Sequence, residues 1–205
     1  ESAMAKGRNL QMFSRIKSEA ERATRQLAEE RGECPDGEGY GVRNAHLLAI
    51  APNASSSIIC GNTSPSIEPY RANAFTQKTK TGSSLLKNEY LEAVLQDLGH
   101  DTDDVWKSIV TSNGSVQHLD FLDDWTKDVF KTAVEIDQRW VIEMAADRQE
   151  YICQSQSLNV FFPANVSKQE LHAIHMMAWK RGVKTLYYLR SCLLYTSDAA
   201  DDVHR

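Results

Sequence analysis

The segment from Leu47 to Ser57 constrains this chain most. An apolar run, Leu47-Leu48-Ala49-Ile50-Ala51, is closed by Pro52 and followed by Asn53-Ala54-Ser55-Ser56-Ser57. A short apolar run bounded by turn signals predicts a strand covered on both faces, the kind found in α/β folds. The small polar residues after it predict the start of a helical turn. Such a turn has two readings. It can be an N-cap loop that satisfies its own helix and binds nothing. Alternatively, its unpaired N–H groups and positive dipole end can hold an anion.

The remaining elements follow from periodicity and punctuation. Phe13, Ile16, Ala20, Ala23 and Leu27 predict an amphipathic helix ending near Gly32. Cys34–Gly39 reads as a loop, and Ala72–Lys80 as an extended segment broken at Gly82. Leu86, Tyr90, Val94 and Leu98 form a second helical stripe closed by Gly99. Val105, Trp106, Ile109 and Val110 form a third, running to Asn113-Gly114, and Ile136, Trp140, Met144 and Ala145 a fourth. Leu158–Phe162 reads as a short strand stopped by Pro163. Ser167 and Glu170 form a capping-box pattern that opens a helix with Leu171, Ile174 and Ala178 inward and Gly182 at its end. Lys184–Leu189 is expected to be a strand. Strands alternating with helices around a helix-rich insert make the fold class α/β.

Composition excludes several classes. The 205 residues suffice for one domain with a sizeable core. A formal charge of −5 gives no basic excess, which argues against direct nucleic-acid binding. No apolar run approaches the roughly 20 residues that span a bilayer, and Glu1–Ala5 lacks a signal-peptide core, so a cytoplasmic protein is expected. Cys34, Cys60, Cys153 and Cys192 form no CxxC pair and read as reduced, mostly structural thiols.

Other polar residues have bland readings that outweigh the chemical ones. Glu68 could act as an acid or base, but Pro69 fixes a turn that a carboxylate would brace. His172 and His175 share a helix face without enough convergent ligands for a metal, so no metal site is expected. Asp101, Asp103 and Asp104 fit dipole compensation at a helix start. Trp106, Trp125, Trp140 and Trp179 fit core or half-buried packing.

Two segments together resemble one family. Arg43–Arg71 is similar to the substrate-diphosphate loop of the large, catalytic subunit of class I ribonucleotide reductase. Gly182-Val183-Lys184-Thr185-Leu186-Tyr187-Tyr188 resembles the segment that carries that family's tyrosine pair. The likeness covers roughly Gly7 to Ser191, and the Asn-Ala-Ser-Ser-Ser-Ile-Ile-Cys-Gly variant is similar to phage-type sequences. The resemblance implies the C-terminal portion of a ten-stranded α/β barrel, with residues 1–191 as one barrel domain. It implies substrate-diphosphate binding at Pro52, Asn53, Ala54, Ser55 and Ser56, although Asn53 and Ala54 depart from the commonest wording of that turn. It also implies radical transfer through Tyr187 and Tyr188. A phenol suits that role because it can lose a proton and an electron together and regain both. Without the resemblance, a Tyr-Tyr pair reads as two core aromatics. Neighbours on a regular strand point to opposite faces, so a relay requires a local departure from the pleat near Leu186–Leu189.

The implied whole protein reduces ribonucleoside diphosphates to deoxyribonucleoside diphosphates. Its implied partners are a small subunit holding a metal-generated radical, a thioredoxin- or glutaredoxin-type reductant, nucleotide effectors such as ATP, and a second copy of the large subunit. No cofactor is expected in this portion itself. An Asn-x-Cys-x-Glu loop, which the family's thiyl chemistry needs, does not occur here, so the chain is expected to be part of a longer subunit and inactive alone. Residues 192–205 continue no family pattern. They read as a non-native tail resembling translated adapter sequence, or else as a divergent natural one. The alternatives are a fragment of a cobalamin-dependent class II reductase, which shares the barrel but has no long-range relay, and a non-catalytic phosphate-binding remnant.

Overall fold

The computed structural model describes residues 1–53, 56–60, 64–79 and 82–192, and they fall into two compact units. The expectations for Ala54, Ser55 and the tail after Cys192 lie outside the described residues.

The first unit comprises residues 1–52, 137–160 and 167–188. Helix α1, Ala3–Arg31, begins at a Ser2 N-cap and ends at Gly32, whose φ of 81° suits a glycine. Its inward face is more polar than its apolar residues predict. Ile16 is exposed, and the fully buried residue is Thr24. Thr24 Oγ1 accepts the backbone N–H groups of Arg43 and Asn44 at 3.1 and 2.9 Å. Polar teeth also fix α1 to α6, Gln138–Gln149. Asn9 Nδ2 donates to the Met144 carbonyl at 3.0 Å, and Lys6 Nζ lies 3.3 Å from Glu143 and 3.4 Å from Asp147. Arg181, at the C-cap of α7 (Lys168–Lys180), reaches the same two carboxylates at 2.6 and 3.6 Å. Ser167 caps α7 by accepting the Glu170 N–H at 3.1 Å, as the capping-box pattern predicts. Ile174 and Ala178 are buried, while Trp179 is exposed, against the expectation of packing.

Three extended segments of this unit lie side by side. Gln154 N–H donates to Leu48, Ile50 N–H to Ser155, and Ser157 N–H to Ile50, giving a parallel bridge at Ile50–Gln156. On the other side of the 154–160 segment, Tyr187 N–H donates to Leu158 and Val160 N–H to Tyr188. This arrangement forms an arc of parallel wall rather than a closed barrel. Leu47–Ala51 is correspondingly no doubly covered strand. It is half-buried to exposed and has a single bridge, because a strand reads as buried only when both flanks and both faces are occupied.

The second unit comprises residues 53–136, 161–166 and the chain from 189. Strand β1, Ala74–Thr79, pairs antiparallel with β2, Gly82–Lys87, so Gly82 opens a second strand instead of ending an extended segment. The hairpin is followed by α3, Glu89–Asp97, and α4, Asp103–Thr111. Leu86 belongs to the hairpin, and the core side of α3 is Leu91 and Leu95. Tyr90 and Leu98 are exposed, so the expected stripe was out of phase. The core gathers Ala74, Leu91, Leu95, Trp106, Ile109 and Val116, with Leu119, Leu122 and Phe130. A short helix α5, Asp124–Val129, had no periodic signal and leaves Trp125 exposed. Strands β3, Val160–Pro163, and β4, Leu189–Cys192, pair with each other.

Two devices hold the second unit. Asn73 Nδ2 donates to the carbonyls of Gly114 at 3.0 Å and Phe130 at 2.8 Å, and its Oδ1 accepts from Asn88 Nδ2 at 3.0 Å. Gly114 has a φ of 81°, and a Cβ there would stand 2.5 Å from Ala72 Cα. Asp101 is not a dipole partner. It accepts the Trp106 indole N–H at 2.6 Å and the Gln96 amide at 3.2 Å, with Lys87 3.7 Å away.

Gly114→Ala is expected to destabilise this unit by about 3 kcal/mol, because a left-handed backbone and a backbone clash coincide. A thermal midpoint equal to wild type would show that Ala72 can retreat. The Trp106 indole, then the Gln96 amide, hold the Asp101 carboxyl below its ordinary range. A carboxyl depressed by folding stabilises the protein above its unfolded pKa, and that contribution is lost as pH falls through the folded value. The thermal midpoint should therefore fall more steeply below about pH 4 in wild type than in Asp101→Asn. Superimposable pH profiles would exclude that linkage.

Candidate active site

The Pro52–Ser56 turn is partly visible. Pro52 and Asn53 are exposed, and the short helix α2, Ser56–Ile59, begins just after. Asn53 N–H donates to the Pro65 carbonyl at 2.9 Å, and Ser57 N–H donates to Asn53 O at 2.9 Å. Ser56 Oγ lies 3.5 Å from Asn53 Oδ1. The Asn53 and Ser57 amides are thus spent inside the fold, which narrows the donors this turn could offer an anion to the middle of the expected set. Ser56 stays exposed, while Ser57 and Glu68 are buried.

The tyrosine segment is better defined. Residues 184–188 do not form the expected strand, which begins only at Leu189. In a regular parallel ladder the Tyr187 N–H bond to Leu158 would be followed by a Val160 N–H bond to Tyr187. Here Val160 donates to Tyr188 instead, at 3.0 Å. Tyr187 and Tyr188 together therefore occupy the place of one residue, which is a β-bulge. The departure from the pleat that a relay requires is present. The two ring centroids lie 4.1 Å apart at an interplanar angle of 54°, and both rings are about half exposed.

Residues that carried no signal as a motif seat this segment. Arg148 Nε donates to Gln156 Oε1 at 2.6 Å, and Gln156 Nε2 donates to Ala145 O at 2.9 Å and Gln149 Oε1 at 3.0 Å. Gln149 Nε2 in turn holds the carbonyls of Ile152 and Gln154. The incoming chain docks on this network. Thr185 Oγ1 donates to Gln156 O at 2.9 Å, Lys184 Nζ to Cys153 O at 2.6 Å, and Tyr188 N–H to Asn159 Oδ1 at 3.3 Å. Arg148, Gln149, Gln156 and Asn159 are all buried. Their one signal in the sequence was their density of polar side chains beside an apolar strand.

Cys153 sits at the edge of the same segment. Burial alone would raise its thiol, but backbone contacts, chiefly the N–H groups of Leu48 and Leu47, outweigh it and hold the thiol below the ordinary cysteine range. His172 and His175 are exposed, and His175 Nδ1 lies 2.8 Å from the Leu171 carbonyl. Among the described residues no group of His, Cys, Asp and Glu is placed to hold a metal, and no helix is long and apolar enough to cross a membrane.

Comparison with known proteins gives one result. The family model described as "Ribonucleotide reductase, barrel domain" matches residues 1–189. A protein of Frog virus 3 (isolate Goorha), bearing the name of a ribonucleoside-diphosphate reductase large subunit, is 55% identical over 88% of this chain and 32% of its own length. The ribonucleoside-diphosphate reductase large subunit of Invertebrate iridescent virus 6 is 47% identical over 100% of this chain and 22% of its own length. These are viruses of animals, whereas the wording of the turn had pointed to phages. Among solved structures, the Actinobacillus ureae class Id ribonucleotide reductase alpha subunit superposes with a TM-score of 0.85 at 40% identity, covering 93% of this chain and 35% of that one. The chain thus spans about a third or less of the length of these relatives. With a family model matched over nearly its whole length, it belongs to the ribonucleotide reductase barrel-domain family.

Proposed function

We propose that this chain is part of the catalytic large subunit of a class I ribonucleoside-diphosphate reductase, which converts ribonucleoside to deoxyribonucleoside diphosphates by radical chemistry. Within it, the Pro52–Ser56 turn holds the substrate diphosphate, and Tyr188 and Tyr187 carry the oxidising equivalent inward. The observation that carries the reading is the bulge, which brings neighbouring rings to 4.1 Å where a regular strand would part them.

The relay step balances simply. A Tyr188 phenoxyl radical takes one electron and one proton from Tyr187. The Tyr187 O–H bond breaks, a Tyr188 O–H bond forms, and the radical moves one residue inward. The radical originates in a small partner subunit with a metal-generated one-electron oxidant, and a thioredoxin- or glutaredoxin-type dithiol restores the enzyme after turnover. Nucleotide effectors such as ATP and pairing with a second large subunit belong to the same proposal for the whole protein. The likeness to a class Id alpha subunit supports class I over a cobalamin-dependent enzyme. At the turn, the binding contribution comes from the Ser56 hydroxyl and the amides between Asn53 and Ser57, since those two amides are engaged elsewhere.

The test uses the full-length subunit with its small subunit. Tyr187→Phe and Tyr188→Phe should each lower turnover by at least about a hundredfold with nucleoside diphosphate affinity unchanged. Phenylalanine keeps the ring packing but has no O–H to give. Wild-type turnover in both variants would exclude the relay. Ser56→Asp places a negative charge at the turn and should weaken diphosphate binding by about tenfold or more. Unchanged binding by calorimetry would leave the turn as an N-cap loop. Failure of the unsubstituted subunit to bind any nucleoside diphosphate would favour a non-catalytic remnant.

A further inference from the structure

The geometry points to Asn159 as a positioning residue for radical transfer. Its side-chain carbonyl takes the backbone N–H that the Tyr187–Tyr188 bulge leaves outside the ladder, and so keeps the two rings in contact. The inference rests on the relay reading above.

A bulge gains one residue without gaining a ladder partner. Tyr187 N–H still bonds to Leu158 O at 2.7 Å, and Tyr188 O still accepts from Val160 N–H at 3.0 Å. The group with no place in that pattern is the Tyr188 N–H. Asn159 stands between the two residues that make the flanking bonds, and its Oδ1 meets this N–H at 3.3 Å. The Asn159 side chain is 7% exposed, so water is a poor substitute acceptor. An asparagine has the right reach, because its carbonyl sits one bond beyond Cβ and mimics a backbone acceptor at the level of the strand.

Removing that acceptor changes the balance between two backbone states. In the bulged state the Tyr188 N–H is satisfied and the rings touch. In the regular pleat Tyr187 would return to the ladder and adjacent side chains would point to opposite faces. Asn159 satisfies the one donor that the bulged state exposes, so it favours the state in which hydrogen can pass between the phenols. Thr185 and Lys184 anchor the segment upstream, to Gln156 O and Cys153 O, and fix its entry without choosing between these states.

The experiment is steady-state kinetics of the full-length large subunit assembled with its small subunit. Asn159→Leu keeps the shape and loses the acceptor, whereas Asn159→Asp keeps an acceptor at the same atom. Asn159→Leu should lower kcat by at least about tenfold while KM for the nucleoside diphosphate stays within about twofold. Asn159→Asp should recover kcat to within about threefold of wild type. Should the leucine variant not fold, Asn159→Ala takes its place with the same expectation. A variant without the acceptor that retains wild-type kcat overturns the proposal, as does equal loss of kcat with and without the acceptor. Tyr187→Phe, measured alongside, separates the two ideas. If it turns over normally, the relay itself fails. If it is inactive while the acceptor-less variant is intact, only the role of Asn159 falls.

Discussion

The first unit depends on a buried, fully paired polar cluster. Arg148, Gln149 and Gln156 saturate one another and the carbonyls of Ala145, Ile152 and Gln154. A guanidinium is costly to bury, and here it bonds to an amide oxygen, with the Phe13 ring 5.9 Å from its centre. The cluster joins the last turns of α6 to the 154–160 segment. That segment receives Leu48 and Ile50 on one side and Thr185 to Tyr188 on the other. Loss of one member would leave the others unpaired away from water, so the cluster holds its geometry as a unit.

Legibility in the sequence followed the range of the forces involved. Helix ends were legible because caps are local. Ser167 with Glu170 and Gly32 behaved as their chemistry dictates. Thr102 capping α4 and Asn88 capping α3 belong to the same class, and reading Asn88 as a cap would have kept Leu86 out of the helix. The hairpin was not legible, because Gly82–Lys87 puts Leu85 beside Leu86 and is largely exposed, so no alternation marks it. The buried strand expected at Leu47–Ala51 failed for a different reason, since cover on both faces is a property of neighbours.

At the candidate site, the sequence placed the tyrosines and called for an irregularity beside them. It could not indicate which side chain accommodates that irregularity. Asn159 stands between Leu158 and Val160 and looks like a polar residue on an apolar strand. Its meaning arises only when the backbone opposite gains a residue. The anion turn shows the converse. Its wording suggested a row of open amides, and the fold spends the two outer ones on Pro65 and Asn53.

The bulge also fixes a parity. Side chains along a strand alternate with a period of two, so one extra residue exchanges the inward and outward sets of everything after it. Leu189 to Cys192 therefore present the faces they do because Tyr187 and Tyr188 are counted as one. A one-residue deletion between Thr185 and Tyr188 would not merely shorten the segment. It would turn β4 over. Variation in length at this point is therefore tolerable only in pairs, and a relative with one residue fewer here would have to find another means of bringing two rings together.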